Sequence, residues 1–273
     1  MTQVSAFVSK IKEGRNVYGT CLTSVSPGWA SILKNAGLDF AFIDTEHIAI
    51  NRAEMARMSQ MVYGYGITPI VRVPSPDPYL VCQAIDAGAK GVIAPYLEET
   101  DQIKELVAAV KYRPLKGKIL EQVLNGEKKL TIEMESYLQR YNTGNIAIAN
   151  IESVPALEKL DALLDVPGLD GVFIGPHDLS VSMGLPEQYD HPEFERSVTH
   201  IVHAARKKRL AVGIHFSLEA ERQARWMREG VNMVIHSSDI ALFSQKLIAD
   251  MQIIKEAAGD VATVSAVTAI PVV

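Results

Sequence analysis

Short apolar runs recur along the chain, and each is followed by a stretch with helical spacing of its apolar positions. The runs are residues 17–23, 40–44, 68–73, 91–96, 146–151, 171–175, 211–216 and 231–235. They are continuous rather than alternating. That pattern marks strands covered on both faces, as in a parallel sheet. Helices are predicted between and after them, at about 27–37, 52–63, 78–87, 100–112, 155–164, 191–208, 218–229 and 240–258. Pro27, Pro78 and Pro155 suit the starts of helices, and Gly37, Gly88 and Gly230 suit their ends. Strand–helix units repeated in this way predict an α/β protein, a single-domain (β/α)8 TIM barrel over residues 1–273. No Gly-rich dinucleotide fingerprint follows the first strand, which weighs against an open doubly wound sheet.

Two stretches break the rhythm. Residues 113–144 form an insertion before strand five, too long for a simple connection. The insertion contains Lys116-Gly117-Lys118 and a predicted helix from about 130 to 141, and topology roots it at the N-terminal face of the barrel. The second stretch is an apolar C-terminal tail, residues 259–273, with no charge after Asp260. It is too apolar for a typical disordered tail and is expected to pack on a neighbouring surface or subunit.

Composition narrows the picture by exclusion. A net charge of -5 gives no electrostatic case for a nucleic-acid or membrane partner. Residues 1–15 lack the continuous apolar stretch of a secretory signal, and no run is long and apolar enough to span a bilayer. Cys21 and Cys82 each lie among apolar residues and read as small core residues rather than a disulfide. The expectation is a cytoplasmic protein.

The groups able to do chemistry fall at the C-terminal ends of the predicted strands, which share one face of such a barrel. Strand two runs into Asp44-Thr45-Glu46-His47, strand three ends in Arg72, strand five in Glu152, and strand six opens into Gly175-Pro176-His177-Asp178. Strands seven and eight end in His215 and His236. Glu152 and Asp178 are hard oxygen ligands on neighbouring strands, suited to Mg2+ or Mn2+ with water completing the shell. The plainer alternative is that each caps the helix after it. His47 with Asp44 forms a candidate acid–base pair; against it stands a polar strand end in which Asp44 and Glu46 only cap the next helix. Arg72 supplies a fixed positive charge for an oxyanion, an enolate or a substrate carboxylate, or else a structural ion pair with Asp44 or Glu46. No lysine lies within or at the end of a predicted strand, so Schiff-base chemistry is disfavoured. Cys21 has no evident activating partner.

With these motifs in order, the sequence resembles the metal-dependent class II pyruvate aldolases of the HpcH/HpaI family. The residues that carry the likeness are Phe42-Ile43-Asp44-Thr45-Glu46-His47, Val71-Arg72-Val73-Pro74, Ile151-Glu152, and Gly171-Val172-Phe173-Ile174-Gly175-Pro176-His177-Asp178-Leu179-Ser180. Asp77-Pro78 and Asp86-Ala87-Gly88-Ala89-Lys90-Gly91 support it. The resemblance implies reversible cleavage of a 4-hydroxy-2-oxo acid to pyruvate and an aldehyde. It implies a divalent cofactor held by Glu152 and Asp178, with Co2+ or Zn2+ as further options beside Mg2+ and Mn2+. Arg72 matches the enolate-stabilising arginine, His47 the general base and Asp44 the carboxylate paired with it. Asp86 matches an acid that in some members reaches a neighbouring subunit's histidine. Backbone N–H groups of the turn formed by Gly175, Pro176, His177 and Asp178 match the binder of the pyruvate carboxylate. Such enzymes are commonly homo-oligomers, hexamers built as trimers of dimers with the last helix exchanged between subunits.

The sequence departs from the family pattern in three places. Asn150, in the implied substrate-binding set, replaces a usual Gln. Lys116-Gly117-Lys118, after Tyr112-Arg113-Pro114, replaces a Gly-x-Arg-Gly loop. His236-Ser237-Ser238-Asp239 replaces a small Gly-x-Asp segment. The rival readings are a citrate-lyase-like acyl-CoA lyase on the same barrel and a non-catalytic keto-acid-binding barrel.

Overall fold

The computed structural model describes residues 3–216 and 220–260. The chain opens with α1 (Gln3–Lys12), β1 (Val17–Leu22), α2 (Trp29–Asn35), β2 (Phe40–Asp44), α3 (Arg52–Gly64), β3 (Thr68–Arg72), α4 (Pro78–Asp86) and β4 (Gly91–Ala94). It continues through α5 (Thr100–Lys111), α6 (Gly117–Leu124), α7 (Ile132–Tyr141), β5 (Ile146–Ile151), α8 (Val154–Glu158), α9 (Leu160–Leu164) and β6 (Gly171–Ile174). It closes with α10 (Pro176–Ser182), α11 (Pro192–Lys207), β7 (Ala211–Phe216), α12 (Ala220–Glu229), β8 (Met233–Ser238) and α13 (Asp239–Ala258). All neighbouring strands are parallel, and β8 returns to β1, so the eight strands form a closed barrel in sequence order.

Strand alternation sorts the apolar residues into two cores. Phe40 and Phe42, Ile70, Ile93, Ile146 and Ile148, Phe173, Met233 and Ile235 fill the barrel interior. The residues between them, such as Ala41, Ile43, Val71, Val92, Ala147, Ala149 and Val172, face the helix layer. This two-sided burial is why the strands read as unbroken apolar runs. The same alternation carries inward to Asp44, Arg72, Asn150 and His215 at the strand tops.

Helix α1 closes the other end. Phe7 and Ile11 stand one helical turn apart, are both 3% exposed, and belong to the interior core. The Phe7 ring meets that of Phe40, at the start of β2, with centroids 5.7 Å apart. The apolar spacing of residues 1–15, which lack a secretory signal's apolar stretch, does not predict this helix.

The insertion holds two helices, α6 and α7, rather than the single helix expected near 130–141. Asn142 closes it: Nδ2 donates to the carbonyls of Lys111, Arg113 and Leu138 at 2.8, 2.7 and 2.9 Å. Both ends of the insertion are thereby fixed beside the C-terminal end of α5, at the barrel's N-terminal face as topology required.

The predicted helix at 155–164 is two short ones, α8 and α9, meeting at Lys159. Helix α10 was not anticipated, and it puts Asp178 in a first helical turn rather than in an open loop. Strand β8 extends to Ser238, so His236 lies within it and alternation turns its side chain away from the interior face occupied by Met233 and Ile235. The predicted start of α12 at 218 and the tail beyond Asp260 lie outside the described residues. Helix α13 buries only Asp239 and Ala241 and exposes Phe243, Leu247, Ile253 and Ile254. No described helix is long and apolar enough to cross a membrane.

Candidate active site

The tops of β2 and β3 are tied by register, with Asp44 opposite Arg72. Arg72 donates from Nε to Asp44 Oδ1 at 2.9 Å and from Nη2 to Oδ2 at 2.6 Å, a two-pronged pair. Glu46 follows as a second counter-ion, its Oε2 lying 3.1 Å from Arg72 Nε and 3.6 Å from His47 Nε2. Burial works against the charge of Asp44, but the Arg72 fork outweighs it and holds the carboxyl below its ordinary value. At Glu46 burial prevails over Arg72 and His47 and raises the carboxyl. Asp44 hydrogen-bonds Arg72 and feels His47 only through its charge, while the carboxylate in contact with His47 is Glu46. His47 itself is exposed at the rim.

Across the mouth, β4, β5 and β6 build around Glu152, which is 4% exposed. The chain after β4 turns through Tyr96 at φ +54°, a left-handed conformation, and its N–H donates to Glu152 Oε1 at 2.8 Å. Asn150 Nδ2 donates to Glu152 Oε2. Gly175 leaves the space the carboxylate occupies: a Cβ there would lie 2.8 Å from Glu152 Oε2 and 3.1 Å from Glu152 Cβ. Burial outweighs the Tyr96 N–H and, with the negative charges of Asp178 and Glu46, pushes the Glu152 carboxyl up to about 7. The negative charge of Glu46 likewise raises the Tyr96 phenol.

The strand-end histidines divide. His215 points inward, its ring centroid 6.0 Å from that of Phe42, and its Nε2 meets the Ser237 carbonyl at 3.1 Å. That contact makes Nε2 the protonated nitrogen. Burial, with Arg72 adding to it, pushes the imidazole down to about 4, so the ring is neutral near pH 7. His236 Nδ1 is buried without a hydrogen-bond partner. Cys21 is buried, and desolvation followed by the charges of Asp44 and Asp239 keeps it a thiol. Asp239 holds the β1–α2 link by accepting from Thr23 N and Ser24 N at 2.9 and 3.1 Å.

Asp86 lies elsewhere, exposed at the C-terminal end of α4 and paired with Arg113. His177 is also exposed, 3.8 Å from Glu187. Gly175 is the N-cap of α10 and Pro176 its first residue, so the N–H groups at 177 and 178 lack acceptors within the helix. Glu46 stands where the sequence offered it as a partner of Arg72. Sequence reasoning missed Tyr96, and nothing local marks it, because its backbone N–H is recruited from the turn after β4.

A divalent ion fits the donors present. Among the described residues no three His, Cys, Asp or Glu side chains cluster to hold a metal. A closed structural site of the zinc type is thus not formed. Glu152 and Asp178 supply two carboxylates at the tops of neighbouring strands, close enough for the charge of Asp178 to act on Glu152. Two carboxylates plus solvent is the arrangement Mg2+ and Mn2+ accept.

A closed β/α barrel with carboxylates gathered about one buried arginine, and no lysine on any described strand, is suited to stabilising an oxyanion without an imine. Comparison with known proteins agrees with that class. Residues 18–245 match the model of the HpcH/HpaI aldolase/citrate lyase family, and the chain belongs to this family. The 2-keto-3-deoxy-L-rhamnonate aldolases of Salmonella gallinarum and Klebsiella pneumoniae are each 29% identical over 241 residues, covering 88% of this chain and 90% of theirs. The HpcH/HpaI aldolase from Desulfitobacterium hafniense superposes with a TM-score of 0.78 at 28% identity, over 91% of this chain and 96% of its own. The chain is an aldolase, a carbon–carbon lyase.

Proposed function

We propose that this aldolase reversibly cleaves a 4-hydroxy-2-oxo acid to pyruvate and an aldehyde, using a divalent ion held by Glu152 and Asp178. The observation that carries the metal assignment is a charge imbalance: Asp44, Glu46, Glu152 and Asp178 all act on one neighbourhood in which Arg72 is the buried cation. A divalent cation there balances the excess and lets Glu152 ionise. When bound, the ion supplies Lewis-acid polarisation of the substrate's keto group.

The remaining work falls to the chain. Arg72 spends Nε and one Nη2 hydrogen on Asp44, and no hydrogen bond from its Nη1 is found among the described residues. That group is the donor for the developing enolate oxygen. The first-turn N–H groups of α10 hold the substrate carboxylate. His47 takes the proton of the 4-hydroxyl as the C3–C4 bond breaks, its electrons passing to the keto oxygen as an enolate that then takes a proton from water at C3 to give pyruvate; Glu46 beside His47 stabilises the imidazolium. In the reverse direction His47 returns the proton to the new hydroxyl.

The named relatives act on 2-keto-3-deoxy-L-rhamnonate, which favours a 2-keto-3-deoxy sugar acid as the substrate class. The apolar face of α13 supports assembly of the chain into a homo-oligomer, with a trimer of dimers as the expected form. The free cysteines suit the cytoplasm.

Pyruvate release from 2-keto-3-deoxy-L-rhamnonate tests the reading. Release is expected with Mn2+ or Mg2+, and its loss is expected after chelation and in Glu152→Ala and Asp178→Ala. Undiminished release from chelator-treated enzyme would remove the ion from the reaction.

A further inference from the structure

We propose that Asn150 is a positioning residue for Glu152: its amide fixes the carboxylate facing the mouth and does not itself bind substrate. The inference rests on Glu152 being a metal ligand. Asn150 is 0% exposed, on the inward side of β5 and two residues before Glu152. Its Nδ2 donates to Glu152 Oε2, while the Tyr96 N–H takes Oε1 at 2.8 Å. Each oxygen thus has one protein donor, and the carboxylate plane is set from two sides. Gly175 leaves the room this arrangement needs, since any Cβ there would lie 2.8 Å from Oε2 and 3.5 Å from Asn150 Nδ2. The other end of the amide, Oδ1, is buried and meets no hydrogen-bond partner. A donor spent on Glu152 is not available to a keto oxygen. An asparagine is also one methylene shorter than a glutamine, which favours the carboxylate over a more distant substrate. Removing the donor leaves Oε2 buried and unsatisfied, so the side chain must turn or bind a proton. Either change spoils a ligand before substrate arrives.

The test measures Mn2+ binding to the full chain by calorimetry, and the KM of pyruvate at saturating Mn2+ by exchange of its methyl protons with deuterated water. Asn150→Leu preserves shape, and Asn150→Ser is the smaller companion in case the leucine variant does not fold. Circular dichroism establishes that the barrel is intact. The expected result is Mn2+ affinity weakened about 10–100-fold, as for loss of other partners of metal ligands, with pyruvate KM changed by less than about threefold. A raised KM with unchanged Mn2+ affinity would make Asn150 a substrate contact and overturn the proposal. Unchanged values for both would reduce it to packing and overturn it equally. Glu152→Gln separates the levels: it is expected to abolish tight Mn2+ binding. Wild-type affinity in that variant would overturn the metal assignment itself, and this inference with it.

Discussion

Arg72 and Asp44 face each other across β2 and β3 and join through two hydrogen bonds, at 2.9 and 2.6 Å, with exposures of only 5% and 1%. A buried charge stripped of its partner is costly, about 3–5 kcal/mol. Asp44→Ala and Arg72→Ala should therefore each lower unfolding stability by roughly that amount. They should part in activity. Arg72→Ala loses the enolate donor and should reduce both pyruvate exchange and cleavage about 10²–10³-fold. Asp44→Ala keeps the guanidinium beside Glu46 and should lose less. Denaturant unfolding and parallel rate measurements decide; equal rates for Arg72→Ala and wild type would end its role.

His47 sits at the rim with Glu46 Oε2 3.6 Å from its Nε2. His47→Ala should slow cleavage by about 10²–10⁴ while affecting pyruvate exchange less. Glu46→Gln should show a milder cleavage defect. Normal cleavage by His47→Ala would move the base elsewhere, with His215 the next inward imidazole.

The Glu152 carboxyl titrates near 7 in the folded, metal-free chain, against 4.5 ordinarily. A raised carboxyl pKa means the folded state holds a proton that the unfolded chain has released. Its contribution to stability is full below about 4.5 and is lost as pH rises through about 7. Glu152→Gln should remove this decline, so the metal-free variant should melt higher than metal-free wild type at pH 8. Added Mn2+ should raise the wild-type melting temperature but not the variant's. A Glu152→Gln protein less stable than wild type at pH 8 would contradict the burial account.

His215 acts in the opposite direction. Its imidazole is pushed from 6.5 to about 4, so the unfolded chain binds the proton first. The stability it confers is full above about 6.5 and is lost as pH falls through about 4, a term of at most about 3 kcal/mol. His215→Leu should flatten the acid limb of a melting-temperature profile between pH 6 and 4. A profile of unchanged slope would mean that the ring is solvated when folded.

The barrel was legible because nearly every described strand position is buried, Tyr18 of β1 being an exception, which leaves mostly apolar runs with their charged residues at the ends. Asp44, Arg72, Glu152 and Asp178 could be placed together by topology alone. Their pairing could not. Whether Asp44 answers to His47 or to Arg72 depends on side-chain reach across β2 and β3. The sequence shows only that all three are near. Tyr96 contributes a backbone N–H, and a main-chain donor leaves no compositional trace. Helix α1 escaped because, among its described side chains, only Phe7 and Ile11 are buried, which gives a weak periodic signal.

That same helix has a kinetic consequence. Phe7 and Ile11 add the bottom layer to a packed interior. Among the described residues the site therefore opens at the strand tops, where His47 stands exposed. In the proposed mechanism pyruvate is held beside buried Arg72, deeper than the aldehyde beside exposed His47, and leaves after it. Cleavage should then follow an ordered release. Pyruvate, last out, should inhibit competitively against the keto acid, and the aldehyde noncompetitively. Competitive inhibition by the aldehyde would require a second exit that the floor does not offer.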